Sequence, residues 1–265
     1  MASTKVVVVG AKPDSVSVRG DVYFLANGAL AFKSQLPEGR FFHVIDGAAL
    51  RIDYREGKAA PDVVDTLRRA LSSGEVDSTY VLDADIHAVA YMDRPIAILE
   101  RLGYRTGYVR LLARSEMFDS VASIIGRRPP FGYRYIFKSG LRNGAYYLRV
   151  LIKFFVKKYL LGYEDQFPEK FRPSAGVLAL IAAITEYGRD AEYVVSGIGL
   201  DVSVKYNYGA GVFTSPKRTR GHLFADWYVL KRVAKHYQVS TPDRELSRRT
   251  GIPSASDNDV FFVGC

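Results

Sequence analysis

His222 closes the run KYNYGAGVFTSPKRTRGH, residues 205–222, in which tyrosines, lysines and arginines are separated by glycines, and an apolar helical pattern, LFADWYVLKRVAKHY, follows at once. A neutral imidazole is suited to take a hydroxyl proton near neutral pH, and phenols and cations beside it suit a leaving phosphate. Tyr206 and Tyr208 supply phenols, and Lys217, Arg218 and Arg220 supply charge. The same histidine also fits a helix-start residue bonded to solvent, so residue type alone leaves both readings open. The glycine spacing gives residues 201–222 the character of a lid loop. Asp226 lies at i+4 from His222, where it could orient the imidazole or make an ordinary surface contact. His43 falls inside an apolar strand pattern, His87 after an acidic turn and His236 on the closing helix, and all three read as structural.

Two further groups could carry chemistry. Ser174-Ala175-Gly176 precedes the apolar helical run VLALIAAITEY. The first turn of a helix has backbone N–H groups to offer an anion, although a serine there is also an ordinary N-cap. In VLDAD, Asp83 and Asp85 end an apolar run one residue apart. Two carboxylates so placed could hold Mg²⁺ or Mn²⁺ under a nucleotide diphosphate, or simply cap a turn.

The elements that would position these groups read as α/β. KVVVVG, DVYFLAN, RFFHVID and TYVLDAD are short apolar runs that stop at glycine, asparagine or aspartate, which puts Gly10, Asn27, Asp46, Asp83 and Asp85 at strand ends. APDVVDTLRRALSSG (60–74) and RPIAILERLG (94–103) have helical periodicity, YVRLLA (108–113) reads as a strand, and EYVVSG brings a strand to Ser196-Gly197. Strands alternating with helices predict one mostly parallel, Rossmann-like sheet flanked by helices, with ligands outside the carboxyl ends of the strands. The expected organisation is an N-terminal part over 1–125, a basic, aromatic, helical insertion over 126–170, and a C-terminal part of the same domain over 171–265. The one cysteine, Cys265, excludes a disulfide framework or cysteine-based metal cluster within the chain. The apolar run Val6–Val9 is too short for a signal-peptide core or a membrane span.

In order along the chain, VVVVGAKPDS, FLANGA, RPSAGV, VVSGIGLD, a tyrosine-rich basic segment and GHLFADWYVLKRVAKHYQV resemble the bacterial sialyltransferases that use CMP-sialic acid. In that family an Arg-x-Thr-Ser-Gly turn precedes a helix, the next strand ends in Ser-Gly-Ile-Asp, and a histidine stands shortly before a helix and a closing strand. The resemblance covers most of residues 5–240, with the segment around 126–170 outside it. It implies that Gly10, Asn27, Asp46, Ser174, Ala175, Gly176, Ser196, Gly197, Tyr206 and Tyr208 bind the nucleotide or donor, and that His222 is the general base. The chain departs from the pattern at Ala11, Asp46, Ala175 and Gly199, with the acid displaced to Asp201. These departures widen the implied donor from sialic acid to CMP-activated ulosonic acids, Kdo included, and Asp201 opens a covalent route in which a carboxylate attacks first.

The activity implied is metal-independent transfer of a CMP-activated sugar to a surface-glycan or lipid-linked acceptor, with no cofactor beyond the donor. The alternatives are a metal-dependent Asp-x-Asp glycosyltransferase and a non-enzymatic nucleic-acid-binding protein. Nucleic acid is not expected as a partner, because the apolar spacing of 148–160 is too regular for a solvent-facing base platform. The net charge of +9 and pI of about 9.5 favour acidic partners. Within 144–163, Leu148, Leu151, Ile152, Phe155, Tyr159 and Leu160 share a helical face beside Arg149, Lys153, Lys157 and Lys158. That pattern fits a core helix, the contact of a homo-oligomer, or a helix on an anionic membrane surface. The expected location is cytoplasmic, peripheral at the inner face of the membrane.

Overall fold

Apolar runs without polar alternation call for strands covered on both faces, as in a parallel sheet. The computed structural model describes residues 3–12, 15–47, 70, 74–83, 94–127, 148–149, 152, 155–156, 172–200, 205–207, 212–214, 220–255 and 260–263. The apolar runs form β1 (Lys5–Val9), β3 (Val22–Ala26), β4 (Arg40–Asp46), β5 (Val76–Leu82), β6 (Thr106–Leu112) and β7 (Glu192–Ser196). With β10 (Gln238–Ser240) they make a seven-stranded sheet ordered β10-β7-β1-β3-β4-β5-β6. Every pairing in it is parallel. Among the described residues, two short antiparallel pairs lie outside it, β2 (Ser15–Val18) with β11 (Val260–Val263), and β8 (Lys205–Asn207) with β9 (Val212–Thr214). This is the α/β, Rossmann-like architecture expected, and its sheet takes strands from both sides of 126–170.

Alternate side chains of the strands point to opposite faces, so one set of runs feeds two cores. On one face, Val6, Val8, Phe24, Phe42, Val44 and Tyr193 pack beneath α2 (Arg114–Ile125), α3 (Ala175–Tyr187) and α4 (Arg220–Val233), with α1 (Arg94–Arg101) on the other side. Phe24 and Phe42 stack with ring centroids 4.6 Å apart, and Tyr187 of α3 meets both edge-on. On the opposite face, Val7, Val9, Tyr23, Leu25 and Ile45 pack under a 3-10 helix, Asn27–Gln35, and under Leu99 of α1 and Val18 of β2. A seven-residue helix, α5 (Arg244–Thr250), is capped by Asp243, whose carboxylate accepts from Glu245 and Leu246 N–H and from Lys12 Nζ at 3.0 Å.

The chain moves outward from β1 through β3, β4, β5 and β6, then returns to β7 and β10 on the other side of β1. That reversal falls between β1 and β7, and sheets of this kind take ligands outside the carboxyl ends of the strands at such a point. Gly10 and Gly197 stand at those strand ends, and their backbones come very close. Gly10 N–H donates to Ser196 O at 2.8 Å and Lys12 N–H to Gly197 O at 3.2 Å.

The sequence-based helix at 60–74 lies almost wholly outside the described residues, which there include only Ala70 and Gly74. Asp85, His87, Asp201, Tyr208, Lys217 and Arg218 are outside them too, as is most of the 126–170 segment. Of the expected lid, the described part is the β8–β9 hairpin and the first residues of α4. Leu148, Ile152 and Phe155 are helical, and they are exposed, so the core-helix reading does not hold for them. Among the described residues no helix is long and apolar enough to cross a membrane.

A Cβ at Gly10 would lie 2.2 Å from the Gly197 carbonyl oxygen, so an added methyl must push two paired strand ends apart. Gly10→Ala is expected to cost roughly 3 kcal/mol in urea unfolding, the upper range for overpacking. Gly126→Ala is the control: Gly126 has φ +69° and open space around it, so only the left-handed penalty of about 1 kcal/mol applies.

Candidate functional site

Asn27 and Asp83 leave β3 and β5 in the left-handed region, with φ of +48° and +54°. Asparagine and aspartate tolerate that conformation best among residues other than glycine, and it is often held by neighbouring structure at functional sites. At Asn27 the holding group is His43, which is wholly buried and donates from Nε2 to the Asn27 carbonyl at 3.1 Å. Its Nδ1 accepts from the Tyr104 hydroxyl at 3.0 Å. Burial pushes the His43 pKa down to about 4, outweighing the opposite pull of the Asn27 carbonyl, so the ring is a neutral structural bridge. The Asn27 side-chain oxygen in turn accepts the backbone N–H of Asp46 at 2.8 Å.

Asp46 at the end of β4 and Asp83 just past β5 stand on neighbouring strands. Arg172, two residues ahead of the α3 cap, reaches between them, donating from Nη1 to Asp83 and from Nη2 to Asp46. Arg114, the first residue of α2, closes on the far side, with Nε and Nη2 on the two Asp83 oxygens at 2.9 and 3.0 Å. The result is a balanced quartet of two carboxylates and two guanidiniums, with the Asp83 side chain 1% and that of Arg172 3% exposed. Desolvation opposes the Arg172 charge, but Asp46 and Asp83 outweigh it and hold its pKa above the ordinary arginine value. Among the described residues the buried Nε of Arg172 has no hydrogen-bond partner.

The backbone of Arg172 serves a second purpose, because its carbonyl accepts from His222 Nδ1 at 2.6 Å. A carbonyl has no proton to give, so in the neutral ring Nδ1 carries the hydrogen and Nε2 is left as an acceptor. Asp226, one turn further along α4 and buried, accepts the Ser174 N–H at 2.6 Å. The Ser174 hydroxyl caps α3 by accepting from Val177 N–H at 3.5 Å. Residues His222 and Asp226 therefore grip the chain at 172 and 174. Burial raises the Asp226 pKa to about 6, against the opposing pull of His222, the Ser174 hydrogen bonds and Arg172.

These contacts show what several residues singled out in the sequence touch. Asp83 is committed to Arg114 and Arg172, so it does not stand open as half of an Asp-x-Asp metal pair. Asp46 spends its carboxylate on Arg172, and Ser196 is fully buried in the sheet, where its carbonyl pairs with Gly10. Ser174 acts as an N-cap and Ala175 is buried. Gly176 is packed against Ile198, whose Cγ1 would lie 3.0 Å from an added Cβ. The hydrogen bond that orients His222 comes from the Arg172 carbonyl, because the Asp226 carboxylate is turned to Ser174. Tyr206 pairs with Phe213 in the β8–β9 hairpin, which lies against the 3-10 helix that starts at Asn27. Sequence pattern alone does not single out Arg114, and for Arg172 the only signal is that FRPSAG resembles a turn that opens with arginine.

Compared with known proteins, the chain matches no family model, no curated protein and no solved structure.

Replacing Arg172 by Met leaves the buried Asp83 with Arg114 alone and takes the guanidinium from the partly buried Asp46, and is expected to cost about 3–5 kcal/mol in urea unfolding. Arg172→Lys keeps the charge without the two-pronged geometry and should fall between it and wild type.

A second expectation follows from Asp226. Its folded pKa lies above the ordinary 3.8, so its contribution to stability is present below pH 3.8 and is lost as pH rises through about 6. Asp226→Asn, which can still accept from Ser174, lacks that loss. Its unfolding free energy should therefore gain on wild type by up to about 3 kcal/mol between pH 4 and 6, measured by urea titration at several pH values. His43 acts in the opposite sense in wild type: its contribution is present above pH 6.5 and lost as pH falls towards about 4.

Proposed function

We propose that this protein transfers a CMP-activated ulosonic acid, sialic acid or Kdo, to a hydroxyl of a surface-glycan acceptor, with His222 as general base. The reading rests on the 2.6 Å hydrogen bond between His222 Nδ1 and the Arg172 carbonyl, which leaves Nε2 as the proton acceptor. His222 is the third residue of α4, directly after a sequence run rich in lysine, arginine and tyrosine. The acceptor hydroxyl gives its proton to Nε2 as its oxygen bonds to the anomeric carbon of the donor. The bond from that carbon to the phosphate oxygen breaks, and its electron pair leaves on CMP. Tyr206, Tyr208, Lys217, Arg218 and Arg220 are the residues assigned to stabilise the leaving phosphate. The Asp-x-Asp alternative loses support because both oxygens of Asp83 are held by arginines.

CMP at millimolar concentration should raise the melting temperature, while UDP and GDP, with or without Mn²⁺, should do little. In a transfer assay with CMP-sialic acid or CMP-Kdo, His222→Ala should lower kcat by about a hundred- to ten-thousand-fold and leave the CMP-induced shift intact. A strong UDP shift that requires Mn²⁺ would overturn the donor assignment. Full transfer by His222→Ala would overturn the base. If Asp201→Asn also abolished transfer, a covalent route through that carboxylate would take its place.

A further inference from the structure

We propose that the exposed apolar residues Leu148, Ile152, Phe155 and Val156 seat the protein on an anionic lipid bilayer. Leu148, Ile152, Phe155 and Val156 are 46%, 54%, 46% and 39% exposed, a large apolar stripe at helical spacing on the surface. Scattered exposed apolar residues are ordinary, but a contiguous stripe marks an interaction surface. Its neighbourhood in the sequence is just as distinctive. Residues 126–163 hold nine lysines and arginines and no aspartate or glutamate, while the whole chain has a net charge of +9. The rest of the chain is therefore electrically balanced, and all of the excess charge accompanies this one segment. Arg149, beside the stripe, is exposed.

These two properties together select the occupant. A second copy of the chain would bring one ninefold-positive segment against another. A nucleic acid would satisfy the charge, but its bases stack on aromatic faces, and three of the four stripe residues, Leu148, Ile152 and Val156, are aliphatic. An anionic bilayer satisfies both, since the apolar face enters the boundary between headgroups and acyl chains while lysines and arginines meet lipid phosphates. The inference does not depend on the chemistry assigned to His222, and its test reads binding alone.

The experiment is flotation of the full chain with vesicles of phosphatidylcholine alone or with about one third phosphatidylglycerol, at low and high salt. Binding is expected to the anionic vesicles, weakened by salt. Changing Leu148, Ile152 and Val156 together to Gln should reduce binding at least tenfold without lowering the melting temperature, because these side chains are exposed. Changing Lys153, Lys157 and Lys158 to Glu should reduce it by about a hundredfold or more, at about 1 kcal/mol per charge. Equal binding to neutral vesicles, or unaltered binding of the triple Gln variant, would overturn the proposal. So would a lipid-free dimer in sedimentation that the triple Gln variant abolishes. Tighter binding to a single-stranded oligonucleotide than to anionic vesicles, unaffected by the Gln changes, would assign the surface to nucleic acid instead.

Discussion

The requirement that buried charge be paired organises the carboxyl edge of this sheet. Two aspartates end on neighbouring parallel strands, and in a dry interior their mutual repulsion would be severe without cations between them. Arg172 and Arg114 meet that requirement from two different helix starts. The guanidinium is suited to this because its planar fork can bond two acceptors at once and keeps its charge when desolvated. The pairing thereby fixes where α2 and α3 begin relative to β4 and β5.

Local order propagates from that junction to the histidine. With the Arg172 side chain anchored on the sheet, its carbonyl has a defined position, and that carbonyl chooses the proton-bearing nitrogen of His222. On the other side, Asp46 is tied through Asn27 to the buried His43 and Tyr104. One arginine therefore connects a rigid network inside the sheet to an imidazole on a helix that arrives fifty residues later in the chain. The imidazole is thereby held by regular elements rather than by loops alone.

The fold was legible because its signals are local. Four consecutive valines before a glycine, or RFFHVID before a small-residue turn, announce a buried strand and its end without reference to anything distant. For the same reason Gly10, Asn27, Asp46 and Asp83 could be assigned to one edge. Their partners could not be assigned, since the pairing of Arg172 with Asp46 and Asp83 spans 126 and 89 residues and no periodicity encodes it. Asp226 shows the same limit. Helical spacing correctly put it one turn from His222, but only the tertiary packing turned its carboxylate to Ser174. The exposure of Leu148, Ile152 and Phe155 was equally beyond a pattern that fits core, dimer and membrane helices alike.

The place of β1 in the sheet has a consequence for how the protein is made. Lys5 faces Glu192 across the β1–β7 pair, whereas the other neighbour of β1 is β3, close by in the chain. At about 5–20 residues per second, roughly ten to forty seconds of translation separate β1 from the strand that covers its second edge. Throughout that interval Val6–Val9 can pair on one side only, and an unprotected valine-rich edge is a template for another unfinished chain. Crowded ribosomes reading the same message would bring such edges together. The second edge of β1 is thus covered only late in synthesis, and until then a nascent-chain chaperone would shield it.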